Sequence, residues 1–336
     1  MTTRYLITGG AGFIGSHLTD VLTTRGAGVV VIDDLSTGTR ENLEHALSSS
    51  LVEFVEGSVL DSDLVDHCMG SVDGCLHLAS SVGVQLIMSR PLETLRRNIH
   101  GNDIVISTAA RHGRPLLFAS TSEVYGKRND GALSESSDRL LGAPDKLRWS
   151  YATAKAFGEA LVFSYVREQG SPMRVVRLFN TVGPRQTGAY GMVLPRFVRQ
   201  ALSGQDLTVY GNGTQSRCFG HVLDVVHGMV LVMEDERTVG RAFNIGATTE
   251  IPIVELARRV IERTRSASKI TLVPYEEAYE EGFEELGRRK PDTTALKELT
   301  GWTPSRTVDD AIDDVIAYER RARDGQQPET LVRLAG

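Results

Sequence analysis

The sequence predicts an α/β fold: a doubly wound parallel sheet followed by a smaller, mostly helical C-terminal domain. Two observations predict it. In the first half, short runs of β-branched and other apolar residues alternate with helix-period segments. Such alternation implies parallel strands with helices on both faces. In the second half the texture changes, first to a stretch rich in Gly, Pro, Arg and Gln, then to mostly helical segments.

The elements follow in order. Arg4 to Thr8 reads as a short buried strand and Phe13 to Thr24 as a helix. Val29 to Ile32, Leu51 to Val55, Gly74 to Leu78 and Leu116 to Ala119 read as the next strands. Leu92 to Arg111 and Ser150 to Gln169 read as long helices, and Arg174 to Leu178 as a sixth strand. Residues 180–220 carry one helix near Leu194 to Leu202. Ala242 to Ile245 reads as a strand returning to the sheet. Residues 252–320 read as mostly helical, with a Pro-containing connection around Lys290 to Asp292. The expected division is a first domain over 1–178 that regains a segment near 221–247, and a second built from 179–220 and 248–336.

Bulk properties narrow the class. The 336 residues are 41% hydrophobic and 24% charged, an ordinary globular composition. A net charge of −6 supplies no basic surplus for phosphate backbones, so no nucleic-acid partner is expected. No apolar run is long enough to span a bilayer, and no signal-peptide pattern precedes the first strand, so no membrane partner is expected. Cys68, Cys75 and Cys218 form no CxxC pair, and their odd number argues against a disulfide framework; a reducing cytoplasm fits.

The first motif is Thr8-Gly9-Gly10-Ala11-Gly12-Phe13-Ile14-Gly15, between the first strand and the first helix. Glycines here allow a tight turn, let a pyrophosphate approach the backbone at Gly9 and Gly12, and let the helix pack closely at Gly15. The helix N-terminus adds free N–H groups and positive dipole. Val30-Val31-Ile32-Asp33-Asp34 places acids at the end of the second strand. A carboxylate there accepts ribose hydroxyls and repels a 2′-phosphate, so NAD is expected rather than NADP. This is the pattern of a dinucleotide-binding Rossmann domain.

The second motif, Tyr151-Ala-Thr-Ala-Lys155, puts a phenol and an ammonium on one helix face. A nearby ammonium is expected to lower the tyrosine's pKa, so that the phenol serves as a base near neutral pH. With the glycine turn, the chain resembles the extended short-chain dehydrogenase/reductase family, whose members epimerise, dehydrate or decarboxylate nucleotide sugars. The likeness runs along nearly the whole chain. His77-Leu78-Ala79-Ser80 resembles the segment beside the cofactor, and Asn98 sits where the family has a structural or cofactor-contacting Asn. Ser120-Thr121-Ser122-Glu123-Val124-Tyr125-Gly126 resembles the stretch carrying the catalytic Ser/Thr. Leu178 to Arg185, with Asn180, resembles the turn reaching nicotinamide and substrate. The resemblance implies cofactor contacts from Phe13, Ile14, Ser58 and Val59 as well; many members carry Asp where this chain has Ser58. It also implies a homodimer built on the helices at 92–111 and 150–169.

By this resemblance Tyr151 takes a proton from a sugar hydroxyl, usually O4, Thr121 hydrogen-bonds the same oxygen, and a 4-keto sugar forms. Glu123 points to further chemistry at C5. Thr121-Ser122-Glu123 is similar to UDP-glucuronate decarboxylases and to dehydratases of the GDP-mannose type. Gln215-Ser216-Arg217-Cys218-Phe219 and Gly287-Arg288-Arg289-Lys290-Pro291-Asp292 look like the decarboxylase form, as does Tyr279-Glu-Glu-Gly282-Phe283. Arg217 and Arg289 are then expected at a diphosphate and a C6 carboxylate, since a guanidinium binds oxyanions bidentately. Val193, Tyr210 and Gln215 complete the expected nucleotide-sugar contacts. The expected reaction is decarboxylation of UDP-glucuronate to a UDP-pentose. A UDP-sugar 4-epimerase and a 4,6-dehydratase are the alternatives, the more so because Met192 stands where many decarboxylases carry Arg. His221, Asp224 and His227 match no metal-ligand spacing, so no metal is expected. Trp149 and Trp302 read as packing groups.

Overall fold

The structure, a computed structural model, describes residues 3–128, 131–188, 192–278 and 288–325. Its centre is a seven-stranded, all-parallel sheet. The strands are β1 (Arg4–Thr8), β2 (Gly28–Asp33), β3 (Val52–Glu56), β4 (Gly74–His77), β5 (Leu116–Thr121), β6 (Met173–Leu178) and, much later in the chain, β7 (Ala242–Ile245). They lie in the order β7-β6-β5-β4-β1-β2-β3. The chain winds one way from β1 to β3 and the other way from β4 onward. The sheet therefore has a switch point between β1 and β4, where a crevice opens beyond the strand C-termini.

Alternating side chains build the two faces, as the two-residue strand period demands. Ile7, Val29 and Val31 join one core with Leu18 and Leu22 of helix α1 (Phe13–Thr24) and with Val225 and Met229 from the 222–234 helix. Leu6, Val30 and Ile32 join the opposite core with Val105 of α2 (Pro91–Arg111) and Val162 of α3 (Ser150–Gln169). All of these strand residues are almost wholly buried, each contributing roughly 1.5–3 kcal/mol. α3 stops at Gly170, which takes the left-handed conformation that glycine adopts freely.

A separate core lies C-terminal to the sheet. Leu194, Phe197 and Val198 of α4 (Val193–Leu202) pack with Leu256 and Val260 of α5 (Ile253–Thr264) and with Ile312, Val315 and Ile316 of α6 (Val308–Arg323). Thr307 and Asp310 form a capping box that starts α6. This region is less purely helical than the sequence suggests. Ile270–Val273 pairs in parallel with Leu207–Tyr210, a two-stranded ribbon too short to carry a period of its own.

Trp302 closes a seam between the two regions: its indole donates to the Asp224 carbonyl. The Asp224 carboxylate accepts from both backbone and side chain of Ser305 and Arg306 at 2.6–2.9 Å. His221 is likewise occupied, pairing with Asp314 at 3.0 Å. Among the described residues no group of three or more His, Cys, Asp or Glu is arranged to hold a metal, and no helix is long and apolar enough to cross a membrane.

Candidate active site

One cavity of about 510 Å³ runs from the switch point into the region below α4. Every residue singled out above as a cofactor, catalytic or substrate contact lines it. The sequence therefore placed its candidates in one place, but their mutual contacts differ from expectation in several respects.

The cofactor end comes first. Gly9 has φ +73, and a Cβ there would lie 2.8 Å from the Ala79 nitrogen. A Cβ on Gly15 would lie 2.2 Å from the Gly9 carbonyl oxygen. The turn is thus closed against any side chain. Gly12 caps α1 with no side-chain partner for the first-turn N–H groups. Asp33 receives the Ala11 and Leu35 N–H groups, each at 2.9 Å, one on each carboxylate oxygen. Asp34 pairs with Arg97. Glycine cradle, bare helix N-terminus and buried acid fit a dinucleotide with free ribose hydroxyls.

Several groups fix the floor. The His77 ring bridges Thr8 Oγ1 at 2.7 Å and Asn102 Oδ1 at 3.2 Å, and burial pushes it down to about 3, so it is neutral. Asn98 accepts from the Ser80 hydroxyl and the Ser81 N–H and donates back to the Ser81 carbonyl. Its visible work is to hold the 80–81 loop. Arg185, in a left-handed conformation at φ +65, forms a buried pair with Asp20 of α1 at 2.8 Å. That pair ties the 179–186 turn to the glycine-turn helix.

The reactive end revises the expected roles. Lys155 is buried and donates to the Ala119 carbonyl at 2.8 Å. Burial pushes its ammonium down to about 7, with Glu159 pulling the other way. Tyr151 moves above its ordinary value of 10, because it is buried and because Glu123 is negative; a hydrogen bond with the Ser80 side chain opposes this. The expectation that Lys155 lowers the tyrosine's pKa is not met: the ammonium is committed to the strand carbonyl, and burial dominates. Thr121 Oγ1 accepts the Glu123 N–H at 3.2 Å and so caps the 122–125 turn.

Glu123 sits between two arginines. Arg289 Nη1 donates to one oxygen at 2.6 Å, and Arg148 Nη1 lies 2.7 Å from the other. Although burial favours the acid form, Arg289 first and Arg148 second hold Glu123 down at about 2. It is therefore ionised and carries no proton to give. Arg289 meets this carboxylate rather than standing open for a ligand. Arg217 Nη1 donates to the Ser216 carbonyl at 2.7 Å. Sequence reasoning missed Arg148, three residues before Tyr151; the i, i+3 spacing was a readable signal. It also missed Arg196, whose guanidinium lies 4.2 Å from the Tyr210 ring centroid. Tyr279, Gly282, Phe283 and Gly287 lie outside the described residues.

Comparison with known proteins now decides the family. Residues 5–246 match the model of the NAD dependent epimerase/dehydratase family. The chain belongs to that family. It is 41% identical to a UDP-N-acetyl-alpha-D-glucosaminuronate decarboxylase of Bacillus cytotoxicus, over 95% of this chain and 98% of the relative. It is 36% identical to UDP-glucuronic acid decarboxylase 1 of Xenopus tropicalis, over 96% of this chain and 73% of the relative. Among solved structures it is similar to dTDP-glucose 4,6-dehydratase of Streptomyces venezuelae with NAD bound, at a TM-score of 0.87 and 27% identity, over 97% of this chain and 99% of that one. As a member of this family the chain is an NAD-dependent enzyme of nucleotide-sugar processing. The three cysteines are free and buried, and burial pushes the Cys218 thiol up to about 12, well away from a reactive thiolate.

Proposed function

We propose that this chain decarboxylates a UDP-hexuronate to a UDP-pentose, with UDP-glucuronate or its 2-acetamido counterpart as substrate. The observation that carries the reading is the Arg148–Glu123–Arg289 cluster, a buried positive site facing the cavity beside Tyr151. Two guanidiniums meet one carboxylate in a desolvated place, an environment that favours a substrate carboxylate beside them. The printed activities of the two relatives above support the same reading.

Gly9, Gly12, Gly15 and Asp33 hold NAD. When bound, NAD would accept the C4 hydride and return it to C4 after carbon dioxide has left, giving the UDP-pentose; in its oxidised form it would also bring a positive charge into the same cavity, which lowers Tyr151 toward a usable base. Tyr151 takes the O4 proton while Thr121 hydrogen-bonds that oxygen. The C6 carboxylate then belongs to a β-keto acid, the C5–C6 bond breaks and carbon dioxide leaves. C5 takes its proton from water or a hydroxyl, since Glu123 has none. Asn180, Val193, Tyr210, Gln215 and Arg217 receive the nucleotide diphosphate, in a substrate domain made of 179–220 and 248–336. The exposed Leu92 and Phe157, on the packed helix pair α2 and α3, support a homodimer through those helices. The free cysteines support a cytoplasmic location.

Met192, with no charge where similar decarboxylases carry Arg, favours a second reading as a UDP-sugar 4-epimerase. Incubation with UDP-glucuronate, its 2-acetamido analogue and a neutral UDP-hexose, each followed by mass, separates these. Loss of carbon dioxide is expected. A new isomer of unchanged mass marks epimerisation, and loss of water from a neutral hexose marks a 4,6-dehydratase. Tyr151→Phe is expected to abolish turnover; undiminished turnover refutes the assignment of the base.

A further inference from the structure

We infer that Arg148 is a positioning residue that keeps Glu123 in place so that Arg289 is available to the sugar's carboxylate. The inference rests on the uronate reading above and adds a division of labour between two arginines that the charge count alone leaves equivalent.

The geometry separates them. Arg148 reaches both oxygens of Glu123, with Nη2 donating to Oε1 at 3.2 Å and Nη1 at 2.7 Å from Oε2. Its guanidinium lies 5.6 Å from the Trp149 ring centroid, and Trp149 is itself buried. It stands on the short turn Leu147–Trp149 that runs directly into the helix bearing Tyr151. Arg148 is therefore built into the same rigid body as the catalytic tyrosine. Arg289 reaches Glu123 with Nη1 at a single oxygen and has a long contact, 3.4 Å, with the Ser122 hydroxyl. It comes from a segment joined to the sheet domain by the Leu133 N–H on the Lys290 carbonyl and the Asp292 N–H on the Leu133 carbonyl. Both arginines line the cavity, and both are nearly fully buried.

An arriving carboxylate competes with Glu123 for a guanidinium. Arg148 lies against both oxygens and is fixed on the turn that leads into the Tyr151 helix, whereas Arg289 reaches one oxygen from a separate segment, so Arg289 is the arginine with freedom to re-aim. Arg289 then turns to the ligand, while Arg148 keeps Glu123 ionised and paired. With Arg148 neutral, Glu123 holds Arg289 instead, and the uronate meets a site whose charge is already balanced.

The test is a double-mutant cycle on the full chain with NAD. In Arg148→Gln, kcat/KM for the uronate is expected to fall about tenfold or more, carried mainly by KM. Inhibition by UDP, which has no sugar carboxylate, should stay within about twofold of wild type. Arg148→Lys should restore part of the loss. In the Glu123→Gln background, Arg148→Gln should cost less than about twofold, since the group it restrains has lost its charge. Equal losses in both backgrounds, or UDP binding weakened as much as uronate binding, overturn the inference. If wild type releases no carbon dioxide from either uronate, the proposed reaction fails; the same cycle read as UDP-glucuronate binding against UDP binding still tests Arg148.

Discussion

Replacing Lys155 with Met should make the cofactor-free protein more stable while removing its activity. The Lys155 ammonium is 2% exposed, donates to the Ala119 carbonyl at 2.8 Å and lies 4.9 Å from the Phe118 ring centroid. Burial brings it from an ordinary 10.5 down to about 7. That gap corresponds to roughly 5 kcal/mol of cost for the charged form. Losing the Ala119 bond offsets about 1–2 kcal/mol of any gain. Methionine is similar in length and fills the same space, so a net gain of about 3–4 kcal/mol is expected, or roughly 5 °C in Tm. Between pH 7 and 10.5 the unfolded chain binds the lysine proton and the folded chain does not, so wild-type stability rises with pH there. The advantage of the variant is therefore full below about pH 7 and fades as pH approaches the unfolded value. Thermal unfolding of NAD-free wild type and Lys155→Met at acidic, neutral and alkaline pH measures this. A variant that is no more stable at pH 6, or whose advantage grows with pH, refutes the reasoning.

Other positions give sharper single outcomes. Gly15→Ala puts a Cβ against backbone at 2.2 Å from the Gly9 oxygen and 2.7 Å from Gly10 Cα, so the turn must open. A cost of about 1–3 kcal/mol and a loss of NAD affinity are expected, and an unchanged NAD titration contradicts this. Glu159 accepts Ser120 at 2.6 Å and both Nε and Nη2 of Arg177 at 2.9 and 2.7 Å, all buried. Glu159→Gln strands the Arg177 charge and should cost about 3–5 kcal/mol by denaturant unfolding; a loss under about 1 kcal/mol counts against a buried network. Asp224→Ala removes four acceptor contacts to Ser305 and Arg306 and should cost about 1–3 kcal/mol, read as a lower urea midpoint.

Much of this molecule was legible in its residues because the relevant physics is local. Strand period, helix period and the glycine turn each act within a few residues, which is why Phe13–Thr24 and Ser150–Gln169 were read to the residue. The Ile270–Val273 strand was missed because four residues alternate too briefly to signal. The cavity lining was also legible, since Asp33, Thr121, Tyr151 and Lys155 follow directly from the ends of strands and the face of one helix. What the sequence could not supply was who faces whom. Lys155 turns to Ala119 rather than relieving Tyr151, and Arg289 crosses 166 residues of chain to meet Glu123. Those choices depend on burial and on charges brought close only by the folded chain. Local pattern thus determined the fold class, the NAD turn and the membership of the site. The protonation states of Tyr151, Lys155 and Glu123, and the division of labour between Arg148 and Arg289, were decided by tertiary structure, because desolvation and Coulomb energy depend on distance in space and not along the chain.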